Sequence, residues 1–238
     1  MTIEWDKVIY EDCMNKINGL STIPDKIIDL GLTDPPWGVG FDPYKNYGRD
    51  SNPKLDRSYK IQYKDEWNPE WNLKWFHELE RVCNSIILVL GQGIYIWWIQ
   101  NTNPIGMLIF YYKNGYGSSK ISKWSAWSPY LVYGKLRNKP RIDVIEGLLK
   151  CGINRPKRDN FIHPTKKQPN IFFNLLKQIK PKNLIDPFVG SGSLIYAAHM
   201  LNIPWVGYEI NPIYKHDIDL RFQTRYDSPR NINYWKNK

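Results

Sequence analysis

The sequence predicts an α/β fold built on one doubly wound sheet, and three observations predict it. One buried strand pattern ends at Asp34-Pro35-Pro36-Trp37, and a second runs into a glycine-rich turn, Asp186-Pro187-Phe188-Val189-Gly190-Ser191-Gly192-Ser193. A third strand closes on a carboxylate, Glu209. Strand, glycine turn, helix, strand and acidic residue, in that order, is how such sheets hold a nucleoside. With 238 residues the chain has room for one well-buried domain, residues 1–238, carrying surface insertions.

The elements follow in order. Lys26 to Thr33 carries enough apolar residues for a buried strand, and the two prolines at 35 and 36 forbid its continuation. A loop of about residues 38–66 follows, rich in Asp, Asn, Pro, Tyr and Lys, and its length marks it as functional or mobile. Helical spacing resumes from Pro69 to Asn84, with Trp71, Trp75, Leu79 and Val82 on one face, and feeds a strand from Ser85 to Leu90 and a Gly91-Gln92-Gly93 turn. Strands are expected at Gly106 to Lys113 and Tyr130 to Tyr133. The stretch from Arg137 to Lys167 is the most basic and the least periodic. From Gln168 a helix to about Ile179, a Lys-Pro-Lys break, the strand Asn183 to Ile185, the helix Leu194 to Leu201, the strand Pro204 to Tyr208 and a helix from near Pro212 complete the pattern.

Composition narrows the function classes. Lys and Arg number 33 against 23 Asp and Glu, a net charge of +10, which favours a polyanionic partner. The longest strongly apolar run, Ile86 to Leu90, falls far short of the roughly 20 residues that span a bilayer, so no membrane partner is expected. The three cysteines, Cys13, Cys83 and Cys151, are widely spaced, and the four histidines lack a paired ligand spacing. Neither a disulfide framework nor a metal site is expected, and a reducing, cytoplasmic setting fits. Eleven Trp and 16 Tyr raise the aromatic share to 15%, enough for some rings to face a ligand.

Two motifs carry chemistry. At the glycine turn the backbone must approach a ligand without a Cβ in the way, and a carboxylate about 20 residues on accepts hydrogen bonds from ribose hydroxyls. Gly190, Gly192 and Glu209 fit that pattern, whereas Ile195 stands where a nicotinamide fingerprint needs a small residue. Asp34-Pro35-Pro36-Trp37 sits at a strand end, where open sheets place their chemistry. An aryl amine is a poor nucleophile because its lone pair is delocalised, so methylation requires acceptors aimed at its N–H groups as the nitrogen pyramidalises. Asp34 can take one hydrogen and the Pro35 carbonyl the other, Pro36 stiffens the arrangement, and Trp37 offers a stacking face for a base turned out of the duplex.

Together these two motifs resemble the pair that marks DNA amino-methyltransferases, with the catalytic motif first, as in the permuted β-class order. His163-Pro164-Thr165-Lys166-Lys167-Gln168-Pro169 is similar to that family's His-Pro-Thr-x-Lys-Pro element, with one extra residue before Pro169. The resemblance implies a Rossmann-like S-adenosylmethionine-dependent methyltransferase fold, a mixed sheet of about seven strands with helices on both faces. It implies S-adenosylmethionine as cofactor, contacted by Asp186, Phe188, Gly190 and Gly192, with Glu209 at the ribose and His163, Pro164 and Thr165 near the methionine part. Tyr10-Glu11-Asp12-Cys13 resembles the element before the first helix of this class, which places Asp12 near the cofactor adenine, although Glu11 replaces the usual glycine.

The implied activity is site-specific transfer to the N6 amino group of adenine in double-stranded DNA, with a homodimer and a cognate restriction nuclease as admissible partners. Cytosine N4 methylation is the alternative, since it shares fold and chemistry but more often begins its tetrapeptide with Ser or Thr. A nonenzymatic nucleic-acid-binding module on the same scaffold is a more distant one. The basic region at about residues 113–162 interleaves Lys and Arg with Tyr and Trp, as a DNA-facing surface does, and its small size predicts a short recognition sequence or relaxed specificity.

Overall fold

The structure, a computed structural model, describes residues 3–38, 66–112, 125–147, 161–163 and 166–223. The expected loop at 39–65 and much of the basic region, 113–124 and 148–160, lie outside the described residues.

The strands are β1 (Lys7–Ile9), β2 (Ile28–Thr33), β3 (Cys83–Val89), β4 (Gly106–Tyr112), β5 (Trp127–Gly134), β6 (Val144–Gly147), β7 (Leu184–Asp186) and β8 (Trp205–Tyr208). They form one sheet in the order β1-β8-β7-β2-β3-β5-β4-β6. The first five strands of that order are mutually parallel, β5 runs antiparallel to both β3 and β4, and β6 is parallel to β4. The helices are α1 (Pro69–Val82), α2 (Tyr95–Asn101), α3 (Pro169–Ile179), α4 (Ser193–Met200) and α5 (Lys215–Gln223).

Both faces of the sheet are covered, which explains the nearly unbroken apolar run of β3. Alternate residues part to opposite sides: Ile87 and Val89 join Leu30, Leu32, Tyr130 and Val132 under α3 and α4, whereas Ile86 and Leu88 join Leu131 and Tyr133 under α1. Asn68 caps α1, its side chain accepting from the Trp71 N–H at 3.0 Å, and Pro69 fills the first helical position. The αL conformation of Lys180 ends α3 at the Lys-Pro-Lys break.

Four features differ from expectation. The helix α2 follows the Gly91–Gly93 turn, and its clustered apolar residues, with only Trp98 buried, give no helical period to read. The strand β6 lies within the aperiodic stretch, a short outermost strand that buries Ile145 and Gly147. The three-residue β1 is too short for a detectable pattern. The strand β5 begins three residues earlier than Tyr130 and runs through Pro129, which lies just past the last β3–β5 pair, Val89 and Tyr130. There proline need only offer its carbonyl, which accepts from the Leu90 N–H at 3.0 Å.

Candidate active site

From β2 the chain crosses through α1 to β3 on one side, and from β7 it crosses through α4 to β8 on the other. Because β2 and β7 are neighbours, the winding reverses between them and leaves a crevice outside their carboxyl ends. Asp34 follows β2, Asp186 ends β7, Glu209 follows β8 and Asp12 lies just beyond β1, so the sheet brings these four carboxylates to one edge. Across the crevice the buried Thr33 hydroxyl donates to Asp186 Oδ1 at 2.7 Å.

The glycine turn is held on three sides. Gly190 and Gly192 adopt φ of 52° and 77°, and a Cβ on Gly190 would stand 2.9 Å from His163 Nε2. Below the turn, the same Asp186 Oδ1 accepts from the Phe188 N–H at 3.0 Å. Glu209 accepts from the N–H of Gly190 at 2.7 Å and of Asn211 at 2.8 Å, so its carboxylate ties the turn to the end of β8. On the third side the buried Arg221 donates through Nε to the Ser191 carbonyl at 2.9 Å and through Nη2 to the Ser191 hydroxyl at 3.3 Å. Phe188 packs edge-on against Trp75, centroids 4.9 Å apart, and against Trp71 at 5.6 Å, yet stays only half-buried.

The segment carrying His163 is anchored by Asp217 of α5, whose two oxygens accept from the N–H groups of Ile162 and His163 at 2.7 Å each. The His163 ring lies 4.4 Å from that of Tyr214. Burial, with Lys167, Arg221 and Lys166 nearby, lowers its pKa to about 3, so the imidazole is neutral at physiological pH. Pro164 and Thr165 lie outside the described residues.

At the other wall, Asp34 Oδ2 accepts from Lys167 Nζ, while Asp34 Oδ1 and Trp37 Nε1 are buried with no hydrogen-bond partner among the described residues. Pro35 is buried and Pro36 exposed. Trp37 lies against Gly91, where a Cβ would stand 2.8 Å from its Cε3, and Lys167 Nζ lies 4.8 Å from the centre of its ring. Asp12 uses Oδ1 to cap the turn after β1, accepting from the Met14 N–H at 2.8 Å.

The crevice therefore gathers Asp34, Trp37, His163, Asp186, Phe188, Gly190, Gly192 and Glu209. The sequence assigns no site role to Lys167, which falls in the His-Pro-Thr-like element, to Gly91, which falls in an expected turn, or to Asp217 and Arg221. Asp217 and Arg221 lie in the expected helix from near Pro212, where nothing local marks them, and Gly91 reads as an ordinary turn.

Burial raises the pKa of Asp186 to about 7, with Asp34 and Glu209 adding to the rise, and burial likewise raises Glu209 to about 7. Both carboxyls thus bind protons more tightly in the folded chain than in the unfolded one. The stability they confer is complete below about pH 4 and is lost as the pH rises through about 7. His163 has the opposite sign, its contribution being present above the unfolded value of 6.5 and lost as the pH falls toward about 3. Raising the pH of the ligand-free protein from about 6.5 to about 8 is therefore expected to lower its Tm, and the double variant Asp186→Asn, Glu209→Gln should flatten that slope. A Tm that holds constant across this window in the unaltered chain contradicts the assignment.

No family model matches the chain. It is 25% identical over 240 residues to the type II methyltransferase M.HpaI of Haemophilus parainfluenzae, a match covering 85% of this chain and 70% of the relative. The solved complex of M1.HpyAVI with SAM aligns at a TM-score of 0.57 and 17% identity, covering 90% of this chain and 98% of that one. PvuII DNA methyltransferase, described as cytosine-N4-specific, aligns at a TM-score of 0.60 and 15% identity, covering 92% and 87%. A putative DNA modification methylase from Thermus thermophilus, solved with S-adenosyl-L-methionine, aligns at 0.52 and 14%, covering 90% and 93%. The mixed eight-stranded sheet is thus Rossmann-like and shares its fold with these methyltransferase structures.

Proposed function

We propose that this chain transfers a methyl group from S-adenosylmethionine to the N6 amino group of adenine in double-stranded DNA, at a short recognition sequence. The observation that carries the proposal is Asp34 Oδ1, a buried carboxylate oxygen without a partner among the described residues, on the residue that follows β2 at the switch point of the sheet. A buried acceptor left open is costly unless a ligand completes it. The sequence similarity to M.HpaI supports the same reaction class, as does the net charge of +10 for a DNA substrate.

The residues present fit the cofactor. Positive φ at Gly190 and Gly192 opens the turn, Phe188 leaves part of its ring exposed, and each Glu209 oxygen retains acceptor capacity for a ribose hydroxyl after taking its backbone N–H. Asp12 closes the adenine side, and the segment from His163 through Pro164 and Thr165 takes the methionine part. When bound, S-adenosylmethionine supplies an electrophilic methyl group on its sulfonium. Asp34 Oδ1 and the Pro35 carbonyl accept the two N–H groups of the base, which frees the nitrogen lone pair from the ring for direct attack. Pro35 and Pro36 restrict the backbone that aims these acceptors, and Trp37 flanks the base.

Cytosine N4 is the second reading, favoured by the similarity of the fold to a cytosine-N4-specific enzyme. Asp as the first residue of the tetrapeptide favours adenine. Incubation with mixed-sequence duplex DNA and S-adenosylmethionine, digestion to nucleosides and mass spectrometry should yield N6-methyldeoxyadenosine. N4-methyldeoxycytidine would move the assignment to the other base, and the absence of any methylated nucleoside would overturn it. A cognate nuclease, and with it a restriction-modification role, belongs to the same proposal.

A further inference from the structure

The geometry points to Lys167 as a positioning residue for methyl transfer, one that sets the Asp34 carboxylate from the glycine turn; the inference rests on the function proposed above. Lys167 and Asp34 stand 133 residues apart in sequence, and their side chains are only 13% and 27% exposed. A surface ion pair gives little because two long side chains must be ordered in water. This pair is enclosed, and both ends are fixed.

The Lys167 carbonyl accepts from the Ser193 hydroxyl at 2.5 Å, at the first residue of α4. Ser193 Oγ lies 3.2 Å from Ser191 Oγ, and Arg221 grips both the hydroxyl and the carbonyl of Ser191. A continuous chain of polar contacts therefore runs from the glycine turn, through the main chain of Lys167, to its ammonium and on to Asp34. The ammonium occupies Oδ2 alone. With Oδ2 engaged by the ammonium, Oδ1 is left without a partner among the described residues as the open acceptor of the carboxylate. The same ammonium lies 4.8 Å from the centre of the Trp37 ring, so a single group sets the acceptor and borders the ring beside it.

The test compares Lys167→Met, which keeps the stem and removes the charge, with Lys167→Arg, which restores a cation. In Lys167→Met, kcat for methyl transfer to duplex DNA should fall by about 10- to 100-fold, while KM for DNA and the Kd for S-adenosylmethionine change by less than about threefold. Lys167→Arg should recover most of the lost kcat. An unchanged kcat in Lys167→Met would overturn the inference, and so would an equal loss in both variants accompanied by loss of cofactor binding, which marks a merely structural role. A second readout needs no turnover: the side-chain ammonium of Lys167, followed by nitrogen-15 NMR, should give a slowly exchanging signal that disappears in Asp34→Ala. Persistence of that signal in Asp34→Ala overturns the positioning role even in an inactive protein. An inactive unaltered chain that shows the expected NMR change overturns the proposed function instead.

Discussion

Replacing Asp34 with Ala is expected to lower methyl transfer to duplex DNA by about 10²- to 10³-fold or more, with S-adenosylmethionine affinity held within about twofold. The asymmetry follows from where the residue sits. Asp34 stands on the β2 side of the crevice, and its Oδ2 is bound to Lys167, whereas the glycine turn is held by Asp186, Glu209 and Arg221 without its help. Removing the carboxylate deletes an acceptor that matters as the amine pyramidalises, and leaves the backbone that shapes the turn in place. Single-turnover kinetics set beside calorimetric titration of the cofactor would measure both. Full turnover in Asp34→Ala contradicts the mechanism, and a loss of cofactor affinity as large as the loss of rate would move Asp34 from the amine to the cofactor.

Arg221→Met should act in the opposite order, on stability and cofactor binding first. Arg221 is 2% exposed, satisfies the Ser191 carbonyl and hydroxyl, and stacks its guanidinium 4.8 Å from the centre of the Phe161 ring. It also lies near enough to the fully buried Asp217 to lower that carboxyl's pKa against the larger upward push of burial. Without the cation, Asp217 loses that compensation and the Ser191 carbonyl loses its donor. Leaving the buried Ser191 carbonyl without its donor costs about 1–3 kcal/mol, a fall in Tm of roughly 2–12 °C for a chain of this size. The turn that Arg221 grips is the one that would receive the cofactor, so S-adenosylmethionine should raise the Tm of the variant less than that of the unaltered chain. Equal Tm values, or equal cofactor-induced shifts, would show that Arg221 does not hold the turn.

The two motifs were visible in sequence because each is local. Asp34-Pro35-Pro36-Trp37 announces itself by stopping a strand, and Gly190 and Gly192 by interrupting a strand-to-helix pattern with residues that tolerate positive φ. The Pro69 helix and α3 were likewise legible, since apolar residues recur along each at the spacing of a buried face, whereas α4, buried at every position from Ser193 to Ala198, was legible from its place between the glycine turn and the next strand. Elements without such a signal went unread: β1 is three residues long, β6 four, and α2 buries one residue, Trp98. Pro129 hid the start of β5, because proline within a strand argues against it unless its neighbour on that side has already ended.

By itself, then, the sequence determined the α/β class, the principal strands and helices, and the two chemical motifs, since each is encoded over a few adjacent residues or one helical period. Only the tertiary structure decided that β2 and β7 are neighbours, and so that Thr33 bonds Asp186 from 153 residues away. It alone tied Lys167 to Asp34, and turned Arg221 of α5 onto the glycine turn and Asp217 onto the segment carrying His163. Strand order and long-range polar contacts arise from which surfaces pack together. No local period specifies that choice, because the contacts that stabilise it lie far apart along the chain.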